Sequence, residues 1–387
     1  MSLLENAYGT GKKPPFALLL ALINFILKPK HSFKKKQTLK EHWLHCKRAH
    51  AILLDILSVF GPKIFNPMWN QFRYFELIST EEAKAAQDDD YDDLDTEELA
   101  NYSDFWNFTD RTLNCEAQNL EAKCRILMLD FFVNVLQVDL KYRVDSEASM
   151  QDAIFVRTLK KDALSRISKF DNYIKILLRT FPQKDENLLH LTGDILNMLI
   201  TISCFARIAK MDDLVTQLYI PFQEMSTDIC QQLMQSIKYP SFLIALCDKA
   251  VSDTDISKVE EQHKHYRHTQ HVPLHLEKLF FYVLKTLPHD KKNLDSIYRH
   301  VAIVSKYCMA VFATATVRHK RENSGTNSAL PESQLELLIM HQHEAVEKWE
   351  TMIENLIDDA RFRKDLDTIE QIRWAIKLTR LTMTEYF

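Results

Sequence analysis

Five glycines in a chain of 387 residues limit the available folds more than any other feature. Tight hairpin turns and phosphate-cradling loops both need backbone at positive φ, which glycine adopts without steric cost. A chain this poor in glycine is a poor candidate for a sheet protein or a nucleotide-binding loop. The expected class is all-α, either an irregular helical bundle or a HEAT-like helical solenoid. Hydrophobic residues make up 46%, enough to bury a large core or two smaller ones.

The run from Phe16 to Leu27 is the most apolar in the chain, with lysines on both sides. Twelve residues fall short of the roughly 20 that a spanning helix needs, so no membrane span is expected here. The Lys-Pro-Lys-His-Ser-Phe-Lys-Lys-Lys that follows is a poor signal-peptidase exit. Pro14 and Pro15 suit the first turn of a helix, and Pro29 forbids its continuation. Residues Ala17 to Ile23 are apolar on all sides, so this helix must be enclosed, by the chain's own core or by another chain. Both readings stay open at this stage.

A second helix follows, with Leu39, Trp43, Cys46, His50, Leu53, Leu54 and Leu57 at spacings of three and four, ended by Gly61-Pro62. The two helices define an N-terminal helical docking unit over residues 1–78. The stretch from Ser79 to Asp104 is strongly acidic and lacks a periodic apolar face, so 79–104 reads as a linker. Residues 105–387 read as a solenoid-like helical body. Within it, Leu159, Ala163, Ile167, Phe170, Ile174, Leu177 and Phe181 form one stripe. Leu188, Leu191, Ile195, Leu199 and Ile202 form the next, and Pro182 lies between them as in an αα-hairpin. The pattern continues through 214–237, 274–287 and 294–315, punctuated by Pro221, Pro240, Pro273 and Pro288. A loop-like segment spans His319 to Ser333, a long helix carries Leu335, Leu338, Ile339, Val346, Trp349, Ile353 and Leu356, and a last one covers 369–383.

Net charge is −4, so attraction to nucleic acid has to be local. Lys28, Lys30, Lys34, Lys35, Lys36, Lys40, Lys47 and Arg48 form a basic block. Of these, Lys34, Lys35, Lys36, Lys40, Lys47 and Arg48 are candidate phosphate contacts, with a solvated helix face as the alternative. The seven cysteines are scattered without a CxxC pair, as expected of reduced thiols in a nuclear or cytosolic protein. His263, His265, His268, His271 and His275 crowd together, but Pro273 breaks the helical spacing that metal ligation would use. No P-loop, GxGxxG or GxSxG pattern occurs. Neither an enzymatic role nor a metal or cofactor is expected.

"FALLLALINFILKPKHSFKKKQTLKEHWLHCKRAHAILLDIL" resembles the opening of the meiosis-specific Mei-four family. Its order is an Ala/Leu-rich helix, a Lys-Pro stop, a polar stretch, then a helix bearing a Trp. The double stripe over Leu164 to Leu218 and the Trp-bearing "IRWAIKLTRL" are similar to that family's central and last helices. Relatives can carry a long variable segment where only the acidic stretch intervenes here.

The resemblance implies a scaffold for programmed meiotic DNA double-strand breaks on chromosome axes in the nucleus. Such a scaffold forms a hetero-oligomer with a dimeric break factor whose N-terminal domain has a pleckstrin-homology-like fold, holds DNA through its basic patch, and recruits a topoisomerase-like enzyme. The implied partner surface is Leu18, Leu19, Leu22, Ile23, Ile26 and Leu27, with Trp43 and Leu54. The alternatives are a helical accessory subunit of another chromosome complex, such as the Smc-five/six complex, and a cytosolic adaptor.

Overall fold

The computed structural model describes residues 11–28, 36–73, 97–114, 119–146, 148–159, 170–181, 185–204, 211–252, 294–322, 346–358 and 365–385. All regular structure among them is helical. The chain forms two compact units, Met1–Lys210 and Met211–Phe387.

Unit 1 begins with α1 (Phe16–Leu27) and α2 (Lys36–Phe60). Pro15 caps α1 in extended conformation, and its carbonyl accepts from Leu18 N–H at 3.1 Å. The helix closes where Lys28 N–H bonds Asn24 O at 2.8 Å, one residue before Pro29. Gly61 ends α2 at φ 74°, its N–H reaching Leu57 O at 2.9 Å. A side chain there would be strained by the backbone alone. A short 3-10 turn (Pro62–Phe65) and α3 (Asn66–Trp69) follow.

The expected acidic linker is only partly described, and its described end belongs to the fold. There α4 (Glu97–Ala100) buries Leu99 completely and packs against α1. Tyr102 O accepts from Arg73 N–H at 3.1 Å. Asp104 caps α5 (Phe105–Leu113), accepting Asn107 N–H at 2.7 Å. An aspartate that reads as linker charge is therefore a helix cap.

The centre of unit 1 is α6 (Leu120–Asp145), capped by Asn119, which accepts Ala122 N–H at 2.8 Å. Its buried residues lie on every side, among them Cys124, Met128, Phe131, Phe132, Val135 and Leu136, because α1, α2, α5, α7 (Ile154–Thr158) and α9 (Glu186–Cys204) all pack on it. A helix with that many neighbours makes unit 1 an irregular bundle, since solenoid repeats touch only the next in line. The densest part is a cluster of rings. Phe65 meets Phe131 at 5.0 Å, Trp69 meets Phe132 at 5.6 Å, and Phe108 meets Phe132 at 5.2 Å between centroids.

Asp139, 3% exposed, accepts Ile154 N–H at 2.8 Å and Arg143 Nε at 3.1 Å, which fixes the start of α7. The stripe expected to run unbroken from Leu159 is interrupted, because Leu159 is an extended residue closing α7. Ala163 and Ile167 lie outside the described residues; helix α8 (Phe170–Leu178) pairs with α9, the αα-hairpin expected from the pattern.

Unit 2 contains α10 (Met211–Glu224), α11 (Thr227–Ser236), α12 (Pro240–Ser252), α13 (Leu294–Glu322), α14 (346–357) and α15 (Leu366–Glu385). Against α13 pack α11, α12 and α15. Pro221, expected between helices, lies inside α10, in its last turn. Helix α13 continues to Glu322, past the expected start of the loop at His319. The segments holding the histidine cluster and Leu335, Leu338 and Ile339 lie outside the described residues, as does the expected helix over 274–287.

Candidate docking and nucleic-acid surface

The apolar side chains of α1 divide by face. Leu19, Ile23 and Ile26 have no exposed surface, and Leu22 and Leu27 are also buried. They are held against α2 and α6. Five of the six α1 residues expected to meet a partner are thus enclosed by the chain's own core, the other reading open from sequence. Leu18 alone of the six faces outward, at 43% exposure. The N-terminal helices do not form a unit separate at residue 78. Their core is the core of unit 1, which runs to Lys210, because α1 and α2 close over α6.

On α2 the outward residues form a coherent strip. Lys40, Leu44, Lys47, Arg48 and Ala51 recur at spacings of three and four and are all exposed, so they share one side of the helix. Leu44 is 64% exposed at its middle. Trp43 sits half-buried on the shoulder of the strip with the Lys47 ammonium 5.1 Å from its ring centroid, a cation–π contact. Leu54 is half-buried about three turns further along. The strip carries three cationic heads around an apolar centre, with Glu41 at its margin. Lys36 opens α2, while Lys34 and Lys35 lie outside the described residues. The exposed Leu44 was missed by sequence reasoning because it falls off the buried stripe; that very offset from the apolar period was the available signal.

The opposite side of α2 is packed on α6 and carries a second group of polar atoms. Cys46 Sγ lies 3.5 Å from His42 Nε2, and His50 Nε2 lies 2.9 Å from Asp130 Oδ2 of α6. The Cys124 side chain draws the pKa of the Cys46 thiol below its ordinary value, against burial, and Cys124 is raised by Cys46 and by burial.

A different surface is exposed in unit 2. On α15, Trp374, Leu378 and Leu381 are 60%, 44% and 46% exposed, and Lys377 lies over the Trp374 ring at 5.4 Å. Among the described residues, no group of three or more His, Cys, Asp and Glu side chains could hold a metal ion. Among the same residues, no helix is long and apolar enough to cross a membrane. No family model, curated protein or solved structure matches this chain.

Proposed function

We propose that this chain is a non-enzymatic helical scaffold that promotes programmed meiotic DNA double-strand break formation on chromosomes in the nucleus. Its N-terminal helices join it to a dimeric break factor with a pleckstrin-homology-like domain and to DNA. The observation that carries this reading is the outward strip of α2, where Lys40, Lys47 and Arg48 surround exposed Leu44 beside Trp43. It lies inside the stretch that resembles the meiotic family.

Apolar and cationic groups on one helix face suit two kinds of contact. Leu18, Trp43, Leu44 and Leu54 supply apolar anchors for a protein groove, and aromatic anchors dominate such interfaces. The ammonium and guanidinium heads give weak phosphate contacts, which become useful when many copies are held together in an assembly. Docking here leaves Leu19, Ile23 and Ile26 in the core, so the partner grips the outer faces of α1 and α2.

The test is co-expression of the full chain with the C-terminal region of the meiotic break partner, followed by size-exclusion chromatography with light scattering. Trp43→Ala with Leu44→Glu is expected to abolish the complex while leaving circular dichroism unchanged. A full chain that never binds the partner, yet is recovered with another chromosome complex or in the cytosol, replaces this reading by an accessory-subunit or adaptor role. For DNA, Lys40→Ala with Lys47→Ala is expected to weaken binding and reduce the salt slope by about one per lysine removed. An unchanged slope removes the strip from the DNA interface.

A further inference from the structure

We propose that the outward face of α15 is an interface for a second copy of this chain, packed antiparallel about a two-fold axis beside Trp374. The inference concerns unit 2 alone and does not rest on the docking reading of α2.

The inner side and one flank of α15 are held by its neighbours. Ile369, Ile372, Ile376 and Thr379 recur at spacings of three and four and are buried, and the helix packs on α13. Ser305 of α13 donates to Ala375 O at 3.5 Å. On the flank, Arg373 meets Glu354 at 3.0 Å and Arg380 meets Glu350 at 3.5 Å, both acids on α14. The outer side is therefore presented in a fixed orientation.

That outer side carries Leu366, Glu370, Trp374, Lys377 and Leu381, at spacings of four, four, three and four, which place them along one stripe. All five are exposed, Leu366 by 69%, Trp374 by 60% and Leu381 by 46%. Leu378, 44% exposed, widens the apolar centre beside Trp374. The Lys377 ammonium lies 5.4 Å from the Trp374 ring centroid. Large apolar side chains gathered on the wet side of a helix mark a contact surface.

The order of the stripe decides its occupant. It runs leucine, acid, tryptophan, base, leucine, and in reverse it keeps the same pattern with the two charges exchanged. The pairs 366/381 and 370/377 share one midpoint, between Arg373 and Trp374. A two-fold contact requires a patch that complements itself under this reversal. Antiparallel copies set Glu370 of each against Lys377 of the other and Leu366 of each against Leu381 of the other, with the two Trp374 rings meeting near the axis. Parallel copies would set glutamate on glutamate and lysine on lysine, which repels. A single face on a helix of 20 residues is a small interface, so the dimer is expected to exchange with monomer at a Kd on the order of 10 μM.

The experiment is sedimentation velocity on the full chain over a concentration series, with hydroxyl-radical footprinting at each concentration. The wild type is expected to pass from monomer to dimer, and oxidation of Trp374 to fall as the dimer forms. Glu370→Lys and Lys377→Glu, each alone, put like charges at both pairs and are expected to weaken the dimer about tenfold. An equimolar mixture of the two variants is expected to restore it, because one chain then carries only cations at 370 and 377 and the other only anions.

A wild-type chain that stays monomeric at about 100 μM overturns the proposal. So does a dimer in which Trp374 remains as reactive as in the monomer, or one that both variants leave intact or that mixing fails to restore. Trp374 already shielded in the dilute monomer assigns the face to the chain's own cover, and shielding that appears only with the meiotic break partner assigns it to that protein; either result also overturns the second copy. The wild-type series decides the matter even if a variant fails to fold.

Discussion

Rings cluster at the centre of unit 1, whereas in unit 2 arginines bridge neighbouring helices over its apolar core. Around Trp69, at 1% exposure, the rings of Phe72, Phe105 and Phe132 lie within 6.1 Å between centroids, and burial of their area needs no specific partner atom. In unit 2, Arg299 of α13 donates to Met225 O at 2.7 Å and to Phe222 O at 2.5 Å, satisfying carbonyls at the end of α10 that the helix itself leaves open. Arg373 of α15 is held by Glu354 of α14 at 3.0 Å and Asp358 just beyond it at 3.3 Å. Ring packing is indifferent to pH and salt, whereas directed polar contacts depend on each partner's position and charge. Unit 2 should therefore be the unit that conditions disturb first.

The strongest way to break this contrast is Trp69→Ala, expected to cost about 3–5 kcal/mol by leaving a cavity among the rings. Hydrogen exchange resolved by peptide should show protection lost in unit 1 and kept in residues 211–387. Equal loss in both units would show that they unfold as one. Next is Arg299→Ala, expected to cost about 1.5–3 kcal/mol in unit 2, because charge-assisted bonds to two carbonyls disappear; urea unfolding would measure it.

The third turns on His300 of α13, whose Nε2 is buried and whose ring burial holds near 4, well below the ordinary 6.5. Between those values the unfolded chain binds a proton that the folded unit does not. Stability is then fully present above about pH 6.5 and falls as pH drops toward 4, by at most about 1.4 kcal/mol per pH unit from this group. Thermal melts of His300→Gln should show a flatter pH dependence over that window. The smallest effect is expected of Arg373→Ala, at most about 1 kcal/mol because the pair is half-exposed, and added salt should shrink it further.

Helix content and several boundaries were legible because they follow from local rules. Gly61, Pro15 and the stripe of α9 act within a few residues of themselves. The central role of α6 was not legible, since apolar and polar residues are spread all round it and leave no single face for periodicity to find. Asp104 read as linker charge and Asp139 drew no reading, yet one caps a helix and the other holds the start of α7, and only the folded chain brings Ile154 to Asp139. The basic and aromatic members of the candidate strip were visible as residue types. Their sorting into inward and outward sets was not, because that depends on which side of each helix meets α6.

By itself the sequence determined that this chain folds as helices, where many of them stop, and that the run from Phe16 to Leu27 must be enclosed. Those outcomes come from backbone sterics and side-chain period, which act along the chain. The tertiary structure decided what encloses that run, that α1 and α2 share the core of unit 1, which lysines face outward, and that His50 meets Asp130. Such pairings join residues far apart in sequence, and the sequence carries no local signal of which distant surface a buried face will find.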